Sequence, residues 1–144
     1  MMQLTRYTDY GLRVLMYLAL LPEGQNASID TVCQTYGISR NNINKIVHHL
    51  GKAGFIRTQR GKGGGITLNR PAQDIGLGDA VRVMESTLTI IDCNKPACTL
   101  LPACRLKGAL AQAVEAFLSV LDSYTLADLT APAANELRQQ LKLA

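Results

Sequence analysis

The chain has 144 residues, 47% of them hydrophobic and 18% charged, a composition that suits one globular domain with a sizeable core and excludes a multidomain enzyme, a disordered chain and a collagen-like one. Its net charge of +4 is unevenly divided: residues 1–70 carry nine Lys or Arg against three acids, and the remainder six against eight. Within residues 31–70 there are seven basic side chains and no Asp or Glu, the asymmetry expected where one face meets a polyanion, with nucleic acid the leading candidate over a merely solvated face.

From Thr8 to Leu20, the residues Leu12, Leu15, Met16 and Ala19 repeat at helical spacing and predict an amphipathic helix ended by Pro22-Glu23-Gly24. Asn26-Ala27-Ser28 matches the glycosylation acceptor pattern, but the amino terminus MMQLTRYTDYG lacks an export signal, so the match is read as chance within a loop. Ser28 is the expected N-cap of a second short helix bearing Ile29, Val32, Cys33 and Tyr36, with Gly37 as its stop. Ser39 caps a third helix whose apolar stripe is Ile43, Ile46, Val47 and Leu50.

The opening turns of that third helix carry Arg40, Asn41, Asn42, Asn44 and Lys45. Three Asn are costly to a helix, which points to a use other than propensity. Two helices joined by the tight turn Tyr36-Gly37-Ile38-Ser39 match a helix-turn-helix, and Asn and Arg suit bidentate pairing with adenine and guanine in the major groove. Ser39, Arg40, Asn41, Asn42, Asn44 and Lys45 are therefore candidate DNA-binding residues.

Gly54 closes this helix, and Phe55–Gln59 and Gly65–Leu68 read as two short strands around Arg60-Gly61-Lys62-Gly63-Gly64. The expected fold class is mainly α with a small β-hairpin: a winged helix-turn-helix followed by a long dimerisation helix. The glycine-rich loop lacks P-loop spacing; as a wing it places Arg60 for a narrow minor groove and Lys62, Gly63 and Gly64 beside phosphate. A fourth helix is expected over Leu77–Glu85, bracing the wing. A long one follows over Arg105–Tyr124, whose stripe of Leu106, Leu110, Ala113, Phe117, Val120 and Leu121 is too extensive for this small body to cover and calls for a partner copy. The expected spans are a DNA-binding region over 1–70, a loop and dimerisation helix over 71–130, and a tail over 131–144 that is either a frayed helix or disordered.

Between the last two helices lie Cys93, Cys98 and Cys104, spaced Cys-x4-Cys-x5-Cys. Cys33 shares a helix face with apolar residues and reads as a small core side chain. Zinc is weakly supported, because the loop has three Cys, no His and no Cys-x2-Cys knuckle. Thiolates also hold iron-sulfur clusters, where a missing fourth Cys is replaced by another ligand, and unligated thiols remain an alternative. Arg105 and Lys107 and the helix N-terminus after Cys104 favour an anionic site. There is no nucleophile with a base and no cofactor fingerprint, so an enzyme is not expected, and with no apolar run of about 18 residues neither is a membrane partner.

Three separated segments, LTRYTDYGLR at 4–13, RGKGGGITL at 60–68 and CNKPACTLLPACRLKGAL at 93–110, resemble the NsrR family of bacterial nitric-oxide-sensing repressors, related to the iron-sulfur regulator IscR. The resemblance covers nearly the whole chain except the tail. It implies a cytoplasmic homodimer with one iron-sulfur cluster per subunit, 4Fe-4S in preference to 2Fe-2S, held by Cys93, Cys98 and Cys104. Asp9 would be the fourth ligand, given to the partner subunit's cluster; read from the residues alone, Asp9 is equally a helix N-terminal acid. The implied signal is nitric oxide, whose attack on the cluster would release a near-palindromic operator controlling nitric oxide detoxification genes. Lys107 stands where the IscR branch has His, which favours the NsrR reading; the alternative is an iron-sulfur or redox-status regulator of the IscR type.

Overall fold

Helix α1 (Arg6–Leu20) is the element around which the others assemble in the computed structural model, which describes residues 2–143. Residues 1 and 144, at the outer ends of the first and last expected spans, lie outside the described residues. The helix begins two residues before the expected start because Thr5 is its N-cap, its hydroxyl accepting from the Thr8 N–H at 3.3 Å. Val14, Leu15 and Leu18 are buried on its inner face, and α1 packs against helices on several sides and against the hairpin. It therefore touches nearly every later element.

Helices α2 (Ile29–Tyr36) and α3 (Arg40–Lys52) are capped as expected by Ser28 and Ser39, whose hydroxyls accept from Thr31 N–H and Asn42 N–H. Gly37 takes the left-handed conformation (φ 66°) that the turn between them requires. Ile43, Ile46, Val47 and Leu50 of α3 are buried, the stripe read from the sequence. Strands β1 (Ile56–Gln59) and β2 (Gly65–Leu68) form an antiparallel hairpin with Ile56 opposite Leu68 and Gln59 opposite Gly65. Phe55 stands outside the strand and is buried in the core, with the Arg70 guanidinium 4.6 Å above its ring.

Helix α4 (Leu77–Met84) has α1 and the long helix α5 (Arg105–Asp122) as its main neighbours; it braces these helices and not the wing. Bidentate contacts of 2.5 and 2.9 Å from Arg82 to Asp122 join α4 to α5. Those charges hold the Asp122 carboxyl below the usual carboxylate range, chiefly through the Arg82 hydrogen bond. Along α5 only Leu118 is buried.

Of the two expectations for the tail from residue 131, a frayed helix or disorder, the structure has a helix. Short helix α6 (Leu126–Thr130) is capped by a reciprocal Thr125/Asp128 box, and a 3-10 turn at Ala131–Ala133 leads into α7 (Ala134–Gln140). Arg138 Nε donates to the Leu20 carbonyl at 2.9 Å, satisfying an orphan acceptor at the end of α1, and Leu141 and Leu143 pack on the core. Among the described residues no helix is long and apolar enough to cross a membrane.

Candidate nucleic-acid interface and cysteine loop

The polar side of α3 is built by exclusion. Once its apolar stripe enters the core, Asn41, Asn42, Asn44, Lys45 and His48 are left exposed along the outer face. Ser39 is exposed and spends its hydroxyl on the cap. Arg40 is exposed too, but its guanidinium pairs with Asp30 of α2, a partner that the sequence reading did not foresee. The pair ties the two helices of the helix-turn-helix together and leaves Asn41, Asn42, Asn44 and Lys45 as the unencumbered side chains of the first turns. Behind them, the Tyr7 hydroxyl of α1 meets His49 Nδ1 at 2.8 Å, joining α1 to the rear of α3.

The wing carries Arg60 and Lys62 on an exposed tip whose turns depend on glycine: Gly61 and Gly63 lie at φ 94° and 79°. A side chain at Gly64 would collide with the Gln59 carbonyl. A third piece of chain joins the hairpin near its loop end, since Ala27 and Ile66 exchange backbone hydrogen bonds of 3.0 and 2.8 Å. Arg57, Arg60 and Lys62 thus share one exposed, basic projection beside α3.

Cys93, Cys98 and Cys104 all fall on the loop between α4 and α5, and all are free thiols. Cys93 is buried, Cys98 and Cys104 are partly exposed, and Cys104 occupies the N-cap of α5. The loop is held by its own polar groups. The Asp92 carboxylate accepts from the Asn94 and Lys95 N–H groups, and Cys98 N–H donates to the Cys93 carbonyl at 3.0 Å. Among the described residues, no three His, Cys, Asp or Glu side chains converge as a metal-holding group within one chain. The three thiols supply soft donors of the type iron-sulfur clusters take, on a segment with no helix or strand to resist rearrangement.

Asp9 lies on α1, where Arg13 grips it with bonds of 2.9 and 3.0 Å one helical turn on. The same contact raises the Arg13 pKa. Within the chain, Asp9 stands in the first turn of α1 and forms an ion pair with Arg13 one turn on. Cys33 lies apart from the loop on α2, and burial pushes its thiol pKa up.

Glu85, at the C-cap of α4, was missed by the sequence reading. Its carboxylate accepts from the Thr5 N–H (3.2 and 3.3 Å), from the Thr5 hydroxyl (3.1 Å) and from the buried Thr8 hydroxyl. An acid at a helix N-terminus satisfies orphan donors and the positive end of the dipole. The sequence signal was absent because the two partners are separated by about eighty positions and no local period encodes such a contact.

A helix-turn-helix flanked by a basic hairpin is the build of a DNA-binding transcription regulator. Residues 4–132 match the model of the Rrf2 family, described as an iron-dependent transcriptional regulator. The chain belongs to that family. It is similar to CymR (YrzC), the global cysteine regulator of B. subtilis, at 28% identity over 90% of this chain and 96% of that one, with a TM-score of 0.74. It is similar to the IscR of T. potens at 26% identity, 89% and 85% coverage and a TM-score of 0.72. The oxidized form of CymR from Staphylococcus aureus matches at 29% identity, 89% and 95% coverage and a TM-score of 0.72. The family is one of transcriptional regulators.

Proposed function

We propose that this Rrf2-family regulator is a homodimeric repressor that reads a near-palindromic operator and loses it when nitric oxide reaches an iron-sulfur cluster, for which 4Fe-4S is the preferred form. One observation carries the reading: three free thiols, Cys93, Cys98 and Cys104, share the one loop that joins α4 to α5. Bound there, a cluster would supply iron with a weak non-thiolate position, the point at which nitric oxide reacts; Asp9 of the partner subunit is the proposed donor at that position. Giving Asp9 to a partner requires breaking its contact with Arg13.

The DNA side is carried by Asn41, Asn42, Asn44 and Lys45 in the major groove, with Ser39 and Arg40 at the helix start. Arg60 of the wing enters a narrow minor groove, and Lys62, Gly63 and Gly64 lie along the backbone. The chain offers a continuous mechanical route between the two sides. Glu85 immediately follows α4 and grips Thr5 and Thr8; these open α1, and Tyr7 of α1 touches His49 of α3. Rearrangement of the cysteine loop therefore bears on the helix against which the reading head rests. Two reading heads held at a set separation by a dimer read half-sites one helical turn apart or a multiple of it.

The test is anaerobic isolation with iron and sulfide analysis, followed by nitric oxide titration while operator binding is monitored. The expected result is visible absorption that Cys98→Ala abolishes and Cys33→Ala retains, with DNA released by nitric oxide; Asp9→Ala is expected to change both the spectrum and the response. Colourless protein that still binds its promoter fully would overturn the cluster. Release by peroxide or chelator but not by nitric oxide would establish the IscR-type alternative, which the likeness to the T. potens protein supports.

A further inference from the structure

Asn26 lies in the α1–α2 loop and was read in the sequence only as part of a chance acceptor motif. In the fold it reaches the wing. Its exposed side-chain amide donates to the Gly63 carbonyl at 2.9 Å, across 37 positions of sequence. The packing there is close: a Cβ at Gly65 would lie 3.0 Å from Asn26 Oδ1 and 2.5 Å from the Ala27 carbonyl.

Strand β2 is already fixed at Ile66, two residues past the loop, by the Ala27–Ile66 exchange, in which both residues are buried. The tip is different. Its five residues, Arg60 to Gly64, contain three glycines, which populate many backbone conformations when free. Gly64 N–H donates to the Gly61 carbonyl, closing the turn upon itself, and the Asn26 amide ties that turn to the body of the protein. A loop ordered in advance does not lose that freedom when it binds.

We propose that Asn26 is a positioning residue for DNA binding: by clamping the Gly63 carbonyl it fixes where Arg60 meets the minor groove and Lys62 the phosphate backbone. This rests on the reading of the wing as a DNA contact. Asn26 acts through the wing and touches no nucleic acid itself, so its effect vanishes when the wing's own cations are gone.

The experiment measures binding of the full chain to a mixed-sequence duplex of about three helical turns by fluorescence anisotropy over a salt series. Asn26→Ala is expected to weaken binding about fivefold, the worth of one hydrogen bond. It should also flatten the salt dependence and speed amide exchange at Gly63 and Gly64, with the fold unchanged by circular dichroism. Asn26→Asp, which keeps the shape and removes the donor, is expected to loosen the same amides. Added to Arg60→Ala/Lys62→Ala, Asn26→Ala should weaken binding no further. Wild-type affinity in Asn26→Ala, or a loss that adds in full to that of the double variant, would overturn the positioning role. If Arg60→Ala/Lys62→Ala binds as well as the wild type, it is the wing's DNA contact that fails, a result distinct from either.

Discussion

Arg40 is apt by type for reading guanine, and its position at the start of α3 suits that task, yet its guanidinium meets Asp30 of the preceding helix. The pair is exposed, so its value to stability is small, and its effect is to hold the long side chain in one direction. Asp9 is comparable: the Arg13 contact shows what it does within one chain and what must be given up for another role. Tyr36 stands in a partly buried site. Its hydroxyl donates to the Arg13 carbonyl at 2.8 Å, its ring packs edge-on against Tyr17, and burial pushes its pKa from 10.0 up to about 12, against the opposing effect of the Arg13 charge. The fold therefore favours the neutral phenol. Its contribution to stability is complete below the unfolded value near 10 and is lost as the pH climbs through about 12, because the unfolded chain releases the proton first. Tyr36→Phe is expected to flatten this alkaline decline in unfolding free energy and to remove the latest step in tyrosinate absorbance.

At the scale of elements, the join between α4 and α1 depends on one carboxylate serving Thr5 and the buried Thr8. Glu85→Ala leaves those donors without their acceptor and is expected to cost about 2 kcal/mol in urea unfolding, with Glu85→Gln recovering part of the loss. An unchanged midpoint would show that water replaces the carboxylate. Joins of this kind also mark the limit of what the chain reveals as a string of letters. The helices were legible because Ser28 and Ser39 cap them and their apolar residues recur at helical spacing, and the hairpin because two short runs flank glycines. Helix α6 was overlooked although Thr125 and Asp128 stand at capping-box spacing, since they follow directly on the long apolar pattern of α5. The candidate site divides similarly. The exposed Asn and Lys of α3 and the shared cysteine loop follow from spacing, whereas Asp30 with Arg40, Asn26 with Gly63 and Glu85 with Thr8 are tertiary pairs that no local pattern announces.

For the whole molecule, α5 is the outlying feature. Leu106 and Val120 are 57% and 60% exposed, and Phe117 borders an apolar groove with Met2, Leu4, Leu88 and Ile90. A second copy laid along this face would cover it and set the distance between two reading heads. Leu106→Asp/Val120→Asp is expected to halve the sedimenting mass and to weaken operator binding far more than binding by one head; an unchanged mass would place the dimer contact elsewhere. A quieter constraint lies where α1 crosses α4. Gly11 has no side chain, and the Met84 thioether occupies the space that one would need. The two positions are coupled and unequal: a side chain at the first obliges the flexible thioether to swing aside or give way to a smaller group, whereas a smaller group at the second alone leaves a void beneath the reading module.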